Sequence, residues 1–366
     1  MFVRIASGVF IANDNRLSDL IGKPDNLEVI RLFAAIGVVF GHSFALAMRG
    51  NSGVSEPVSI ILPGTYSGSI AVEMFFFISG FLITNSLLVN PNLLQFLRAR
   101  AVRVLPAFFV MIFLSALVLA PFASTLSFFE YFRNPGVWKY IFSTLSLDLI
   151  PGVNIIWAVP QAFVDHKNYA LNGSLWSLFF EVKLYLLSAF GILLSAYKYS
   201  KFGTVLAIFG LWYTLHNGAL RSPDDYIMSA IFMYWLGCLF RFYSNKVIIS
   251  VFPLLFASMM VYYFRQSATA IAFYSMLIAS AVIYFAYAEW LPKLKLPGDY
   301  SFGLFLWSFP IQQLLAQQWP TLGPYRFFVV SLALSFVFAI LSWHFIEKPA
   351  ITWNKARKLE QSLPRA

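Results

Sequence analysis

Apolar runs long enough to cross a bilayer recur near residues 28–48, 67–89, 103–122, 174–197, 226–243, 246–264, 269–289, 300–319 and 325–346. A shorter run near 202–217 brings the expected number of spans to about ten. In lipid every backbone polar group must be satisfied within its own segment, so such runs predict helices. The fold class this predicts is all-α: a polytopic membrane helical bundle of about ten transmembrane helices. The longest stretch between spans, 123–173, holds two partly apolar pieces, 137–149 and 153–163. Both are too short to span and predict surface-lying or re-entrant helices.

The same pattern divides the chain into an N-terminal extension, 1–26, a membrane domain, 27–350, and a basic tail, 351–366. The extension has one short apolar run (5–12) and no cleavage pattern, which predicts a retained cytoplasmic segment rather than a signal peptide. No further domain is expected after the last span. Composition agrees with the membrane reading, since 59% of the 366 residues are hydrophobic and 11% are charged. Soluble domains carry about 25% charged residues. The single cysteine, Cys238, excludes an internal disulfide or a cysteine-rich metal site.

Charge placement sets the expected orientation. An even number of spans puts both termini on one side. With that side cytoplasmic, seventeen basic residues fall inside: Arg4, Arg16, Lys23, Arg98, Arg100, Arg103, Lys198, Lys201, Arg241, Lys246, Lys293, Lys295, Lys348, Lys355, Arg357, Lys358 and Arg365. Seven fall outside: Arg49, Arg133, Lys139, Lys167, Arg221, Arg265 and Arg326. This positive-inside bias accounts for the net charge of +10 without any nucleic-acid partner. The expected location is a multi-pass position in a membrane, with 123–173 as an outer loop.

Arg31 and His42 lie within the first span, eleven residues apart. Eleven steps of about 100° return to nearly the same helix face, about 16 Å along the axis. Ionisable groups at such depth are costly and mark pathways or sites. In the expected topology His42, Glu73 and Glu181 come from three spans into one layer in the outer half of the membrane. Arg31 falls near the inner face, at the level of Arg100 and Arg103. Arginine forks suit phosphates, and a histidine beside a carboxylate suits general-base work. Plainer roles stand beside these. The arginines fit ordinary positive-inside charge, Arg31 could snorkel, and His42 could be a packing residue. Glu73 could be hydrated near the interface, and Glu181 could pair with Lys183. His166, His216 and His344 are scattered, and no metal site is expected. Small residues on the first two spans (Ala34, Ala35, Gly37, Gly41, Ser79, Gly80) suit close helix packing or a narrow passage.

Six segments together resemble the acyltransferase-3 family of integral-membrane O-acyltransferases that modify bacterial surface polysaccharides. They are NLEVIRLFAAIGVVFGHSF, AVEMFFFISGFLIT, FLRARAVRVLPAF, GSLWSLFFEVKLY, GDYSFGLFLWSFPIQQ and SWHFIEKPA, in family order across roughly 26–350. Three positions depart from the family pattern. Ser308 stands where many members have a histidine, and Phe302 and Phe305 stand where tyrosines are common.

The resemblance implies transfer of an acyl group, acetyl in the usual case, from cytoplasmic acyl-CoA to a hydroxyl of a surface polysaccharide or lipid-linked glycan. Acetyl-CoA is then a co-substrate, with no permanently bound cofactor, in a bacterial cytoplasmic (inner) membrane among its lipids. Arg31, Arg100 and Arg103 would hold the donor. His42 would be the general base or a transient acyl carrier, with Glu73 or Glu181 assisting, and Trp176 and Ser177 would meet the acceptor. The rival from another class is a proton-coupled transporter or glycan exporter, since buried histidine and carboxylates also serve relays.

Overall fold

The computed structural model describes residues 16–193, 200–217, 226–265, 267 and 270–362. Most of the 1–26 extension therefore lies outside the described residues, as do Arg4, Lys198, Arg221, Arg365 and the side chains of Lys201 and Lys358. Among the described residues the chain is all-helical, with two isolated β-bridges and no strand. The helices are α1 (Leu17–Leu20), α2 (Leu27–Leu46), α3 (Pro57–Ile61), α4 (Ser67–Val89) and α5 (Leu93–Leu114). The short α6 (Phe128–Arg133) and α7 (Pro135–Leu145) follow. Next come α8 (Leu175–Leu193), α9 (Ser200–His216), α10 (Tyr226–Phe242), α11 (Phe252–Phe264) and α12 (Ala270–Tyr287). The chain ends with α13 (Ser301–Gln318), α14 (Pro324–Ser342) and α15 (Lys348–Ser362).

Among the described residues, five helical stretches are long and apolar enough to cross a membrane: Leu27–Gly50, Ser67–Val89, Leu93–Ala123, Leu175–Leu193 and Pro324–Arg357. Four more, Phe202–His216, Tyr226–Phe242, Phe252–Phe264 and Ala272–Tyr287, are apolar but shorter.

Three expectations need correction. The third span does not start at residue 103. Its helix begins at Leu93, so Arg98, Arg100 and Arg103 lie inside it rather than ahead of it. Leu, Gln, Arg and Ala are strong helix formers, and arginine stems cover apolar surface while the heads reach polar partners. The apolar run at 246–264 becomes helical only at Phe252, because Pro253 fits a first turn but not an interior. Residues 153–163 form turns and irregular chain rather than a re-entrant helix, framed by Pro151, Gly152 and Pro160. Residues 137–149 are helical only to Leu145, within α7.

Local signals set several boundaries. Glu56 caps α3 by accepting from the Ser59 amide, ahead of Pro57 at the first turn. Ser127 and Glu130 form a reciprocal capping box on α6. Asn134 accepts from Gly136 at the start of α7. After α14 the chain loosens into one π turn, Trp343–Glu347, before α15. Single π turns of this kind recur at functional sites.

The chain forms two compact units. The first comprises Met1–Gly37, Glu56–Asn92 and Ser188–Pro297. Its central contact is α4 on α10, where two glycines bring the backbones together. A Cβ on Gly80 would lie 2.0 Å from the Tyr234 carbonyl oxygen, and one on Gly237 would lie 2.1 Å from that of Phe77. Gly80 is therefore a packing residue. Asn26 anchors this unit's entry, donating its amide to Ala286 (3.1 Å) and accepting at Oδ1 from Leu294 (3.0 Å).

The second unit comprises Val38–Ser55, Leu93–Leu187 and Gly298–Ala366. Its core is α13, buried along nearly its whole length and packed on α14. Gly303 permits that approach, since a Cβ there would stand 2.9 Å from the Ala339 Cα. The segment 146–174 is stitched down by backbone bonds from Lys167 to Arg49 (3.0 Å) and from Leu171 to Trp157 (2.8 Å).

Candidate active site

Arg31 and His42 both lie on the uninterrupted helix α2, as their spacing predicts. Both are half-buried. Around His42 the second unit brings three of the sequence motifs together. The His42 ring stands edge-on to Phe309 of α13, with centroids 5.1 Å apart. Phe309 is in turn pressed by Gly173, where a Cβ would lie 2.7 Å from its Cζ. Asn172 fixes that neighbouring segment by donating to the Leu306 carbonyl (2.9 Å) and accepting from the Ser174 amide (3.1 Å). Phe309 therefore joins the first span, the chain entering α8, and α13.

Gln312, one turn beyond Phe309, clamps α2 on either side of His42. Its Nε2 lies 2.9 Å from the Val39 carbonyl, 3.0 Å from Ser43 Oγ and 3.2 Å from Ser331 Oγ. Ser43 also donates to Val39 (2.7 Å). The backbone carrying His42 is thus held from a neighbouring helix.

Four buried polar atoms on the segments meeting at Phe309 have no hydrogen-bond partner among the described residues. They are His42 Nδ1, Ser174 Oγ, Trp307 Nε1 and Gln312 Oε1. Buried polar atoms are nearly always paired, so each unpaired one needs an explanation. A hydroxyl or carbonyl ligand would supply partners for donors and acceptors alike. Among the described residues, no group of three His, Cys, Asp or Glu side chains could hold a metal ion.

The other expected site residues have the following places. Arg100 lies over two rings, Phe96 at 5.8 Å and Tyr185 at 5.9 Å, and its buried Nε has no hydrogen-bond partner among the described residues. Tyr185 donates to Oε1 of Glu181 (2.6 Å), so Glu181 is tied to the residue under Arg100. The sequence had separated Glu181 and Arg100 into two levels; Tyr185 connects them. Lys183 pairs with Asp148. Arg103 is committed to protein carboxylates, Asp299 at 2.6 Å and Glu347 at 2.8 Å. Ser177 donates to the Ser174 carbonyl (3.2 Å), and Trp176 stands half-buried beside it. Glu73 belongs to the first unit, where it is buried. Ser308 donates back to Phe305 (3.4 Å) within its own helix.

Sequence reasoning missed Gln312, Gln313 and His166. Gln313 Nε2 donates to Asn168 (2.6 Å) and Ala170 (2.7 Å), while its Oε1 meets His166 Nδ1 at 2.8 Å. Two adjacent glutamines inside an apolar helix were the available signal.

A family model described as an acyltransferase domain matches residues 25–344. The chain belongs to the acyltransferase-3 family. The protein is an acyltransferase with transmembrane character. It is similar to an O-acetyl transferase of Shigella phage Sf6, with 26% identity covering 90% of this chain and 97% of the relative. Nodulation protein 10 of Rhizobium leguminosarum bv. viciae is 25% identical, over 90% of this chain and 94% of its own length. The O-acetyltransferase OatA of Staphylococcus aureus is 24% identical over 88% of this chain, which covers 56% of that longer relative. No solved structure matches the chain.

Proposed function

We propose that this acyltransferase is an O-acetyltransferase of a bacterial cytoplasmic membrane, moving acetyl from cytoplasmic acetyl-CoA to a hydroxyl of a surface polysaccharide or lipid-linked glycan. About ten spans with both termini inside, and a membrane domain over 27–350, belong to this reading. The observation that carries it is His42 against Phe309, its buried Nδ1 without a hydrogen-bond partner among the described residues. The names of two relatives, both O-acetyl transferases, support the acetyl group.

In this reading Arg31 and Arg100 hold the phosphates of the donor. The thin pantetheine arm runs along the face of α2 from Arg31 toward His42, a rise of about 16 Å. His42 takes the proton of the acceptor hydroxyl as its oxygen attacks the thioester carbonyl. The C–O bond forms, the C–S bond breaks, and coenzyme A leaves as a thiolate that takes up a proton. Ser174 Oγ, next to the Gly173 that presses on Phe309, is the donor offered to the developing oxyanion, and such donors act strongly in a dry site. Arg103 orients α5 beneath the donor through its two carboxylates. Glu181 acts through Tyr185 on the position of Arg100, and Trp176 and Ser177 lie toward the acceptor.

The test is acetyl transfer by the purified full chain in nanodiscs, read as thiol release from acetyl-CoA. His42→Ala is expected to cut turnover by about 10²–10⁴-fold. Unchanged turnover in a folded His42→Ala protein overturns the assignment.

A further inference from the structure

The first unit holds a pocket of its own, partly open to its surroundings and walled by polar and aromatic side chains. It lies where α4, α10 and α12 begin and α11 ends. Glu73, Thr65, Ser69, Tyr226, Tyr274 and Arg265 supply its polar and aromatic wall. Glu73 is 7% exposed, and among the described residues its Oε2 has no hydrogen-bond partner.

The hydroxyl hydrogens in this wall can be assigned. Ser69 donates its only hydroxyl hydrogen to the Tyr66 carbonyl (2.8 Å). The 3.0 Å contact between Thr65 and Ser69 is therefore donated by Thr65. The 3.0 Å contact between Thr65 and Tyr274 is then donated by Tyr274. All three hydrogens are consumed, and the oxygens of Thr65 and Tyr274 keep lone pairs. With Glu73 beside them, this side of the wall is rich in acceptors, while Arg265 supplies donors across the pocket.

Charge narrows the occupant. An anion would meet the buried Glu73 carboxylate at short range in a low-dielectric wall. A cation would meet Arg265. A neutral molecule with several hydroxyl donors and an apolar ring face satisfies Glu73, the spare lone pairs and the tyrosine walls together.

We propose that this pocket binds a neutral sugar ring, holding a pyranose unit of the acceptor glycan through Glu73, Thr65 and Tyr274. The link to the acceptor rests on the O-acetyltransferase reading; the pocket's preference for a ring of hydroxyls does not.

The experiment measures saturation-transfer NMR contacts between the full chain in nanodiscs and the methyl α-pyranosides of glucose, galactose and mannose. At least one is expected to bind, with Glu73→Gln weakening it by about tenfold or more, since an acceptor oxygen is replaced by an N–H donor. Tyr274→Phe and Thr65→Val are expected to weaken it as well, and they guard against one variant failing to fold. Tetramethylammonium and glycerol serve as the cationic and lipid-headgroup probes. The proposal is overturned if no pyranoside binds, or if binding is the same in all three variants. It is equally overturned if tetramethylammonium binds in their place, or if glycerol competes as well as the ring. Thiol release from acetyl-CoA, measured on the same preparation, separates the two readings. Thiol release without pyranoside binding removes the sugar pocket alone, and pyranoside binding without thiol release removes the O-acetyltransferase reading alone.

Discussion

Arg103 donates from Nη1 to Oε2 of Glu347 at 2.8 Å, tying α5 to the π turn that follows α14. Its other terminal nitrogen bonds Asp299 at 2.6 Å, and the Glu347 side chain is 1% exposed. One cation thus faces two carboxylates, with the rings of Phe302 and Trp343 at 5.3 and 5.9 Å from its guanidinium carbon.

Removing the cation alone leaves two carboxylates without their partner. Breaking a buried pair from one side costs about 3–5 kcal/mol. Arg103→Ala should therefore lower the unfolding midpoint in detergent markedly. Arg103→Lys, which keeps charge but loses the planar fork, should recover only part of it. If Arg103→Ala melts like the wild type and only the half-saturation for acetyl-CoA rises, Arg103 is a donor ligand instead.

Arg100 has the opposite character. Its guanidinium rests on rings, and its buried Nε has no hydrogen-bond partner among the described residues. Arg100→Gln should leave the unfolding midpoint near that of the wild type and raise the half-saturation for acetyl-CoA by about tenfold, the loss of one charge-assisted phosphate contact. Turnover at saturating donor should hold. Steady-state kinetics over a wide acetyl-CoA range checks this, and an unchanged half-saturation removes Arg100 from the donor site.

Much of this was legible from pattern alone. Arg31 and His42 share α2 because an unbroken apolar run fixes both helix and register. Helix 200–216 forms where the shortest run lies. The pairing of Arg103 was hidden because its counter-charges, Asp299 and Glu347, come from about 200 residues or more along the chain. Long-range pairing leaves no local signature. The same holds for the Tyr185 bond that links Glu181 to Arg100, and for the clamp that Gln312 places on α2. The irregular path of 153–163 was hidden for another reason. An apolar composition reads as a helix, while prolines and tertiary hydrogen bonds decide the backbone.

The paired glycines of α4 and α10 give a sharp stability prediction. A methyl group on Gly80 would occupy the space of the Tyr234 carbonyl, 2.0 Å away, and backbone cannot swing aside as a side chain can. Gly80→Ala should destabilise the protein by about 1–3 kcal/mol or more, despite alanine's better helix propensity. Thermal unfolding in detergent measures it. Gly53→Ala gives the contrast, since nothing lies within 4 Å of a Cβ there; its φ of +64° leaves only a local backbone strain.

His166 and Gln313 set the last expectation. Gln313 points its amide nitrogen at the Asn168 and Ala170 carbonyls, so the atom facing His166 Nδ1 is its oxygen. His166 must then carry a hydrogen on Nδ1. This arrangement pins the end of the 146–174 segment to α13, just ahead of the Asn172 and Gly173 contacts that support Phe309 and His42. Gln313→Leu removes three hydrogen bonds and strands two carbonyls and an imidazole N–H, each worth about 1–3 kcal/mol when buried and unpaired. The segment should loosen before the helices do. Hydrogen exchange should therefore speed up over 146–174 first, with turnover falling and the half-saturation for acetyl-CoA unchanged, because the loss acts on the placement of His42 and not on the arginines. Gln313→Glu, which keeps the acceptor for His166 but not the donors to Asn168 and Ala170, should fall between. Exchange that accelerates uniformly along α13 and α14 would mean that Gln313 supports the whole unit rather than this segment.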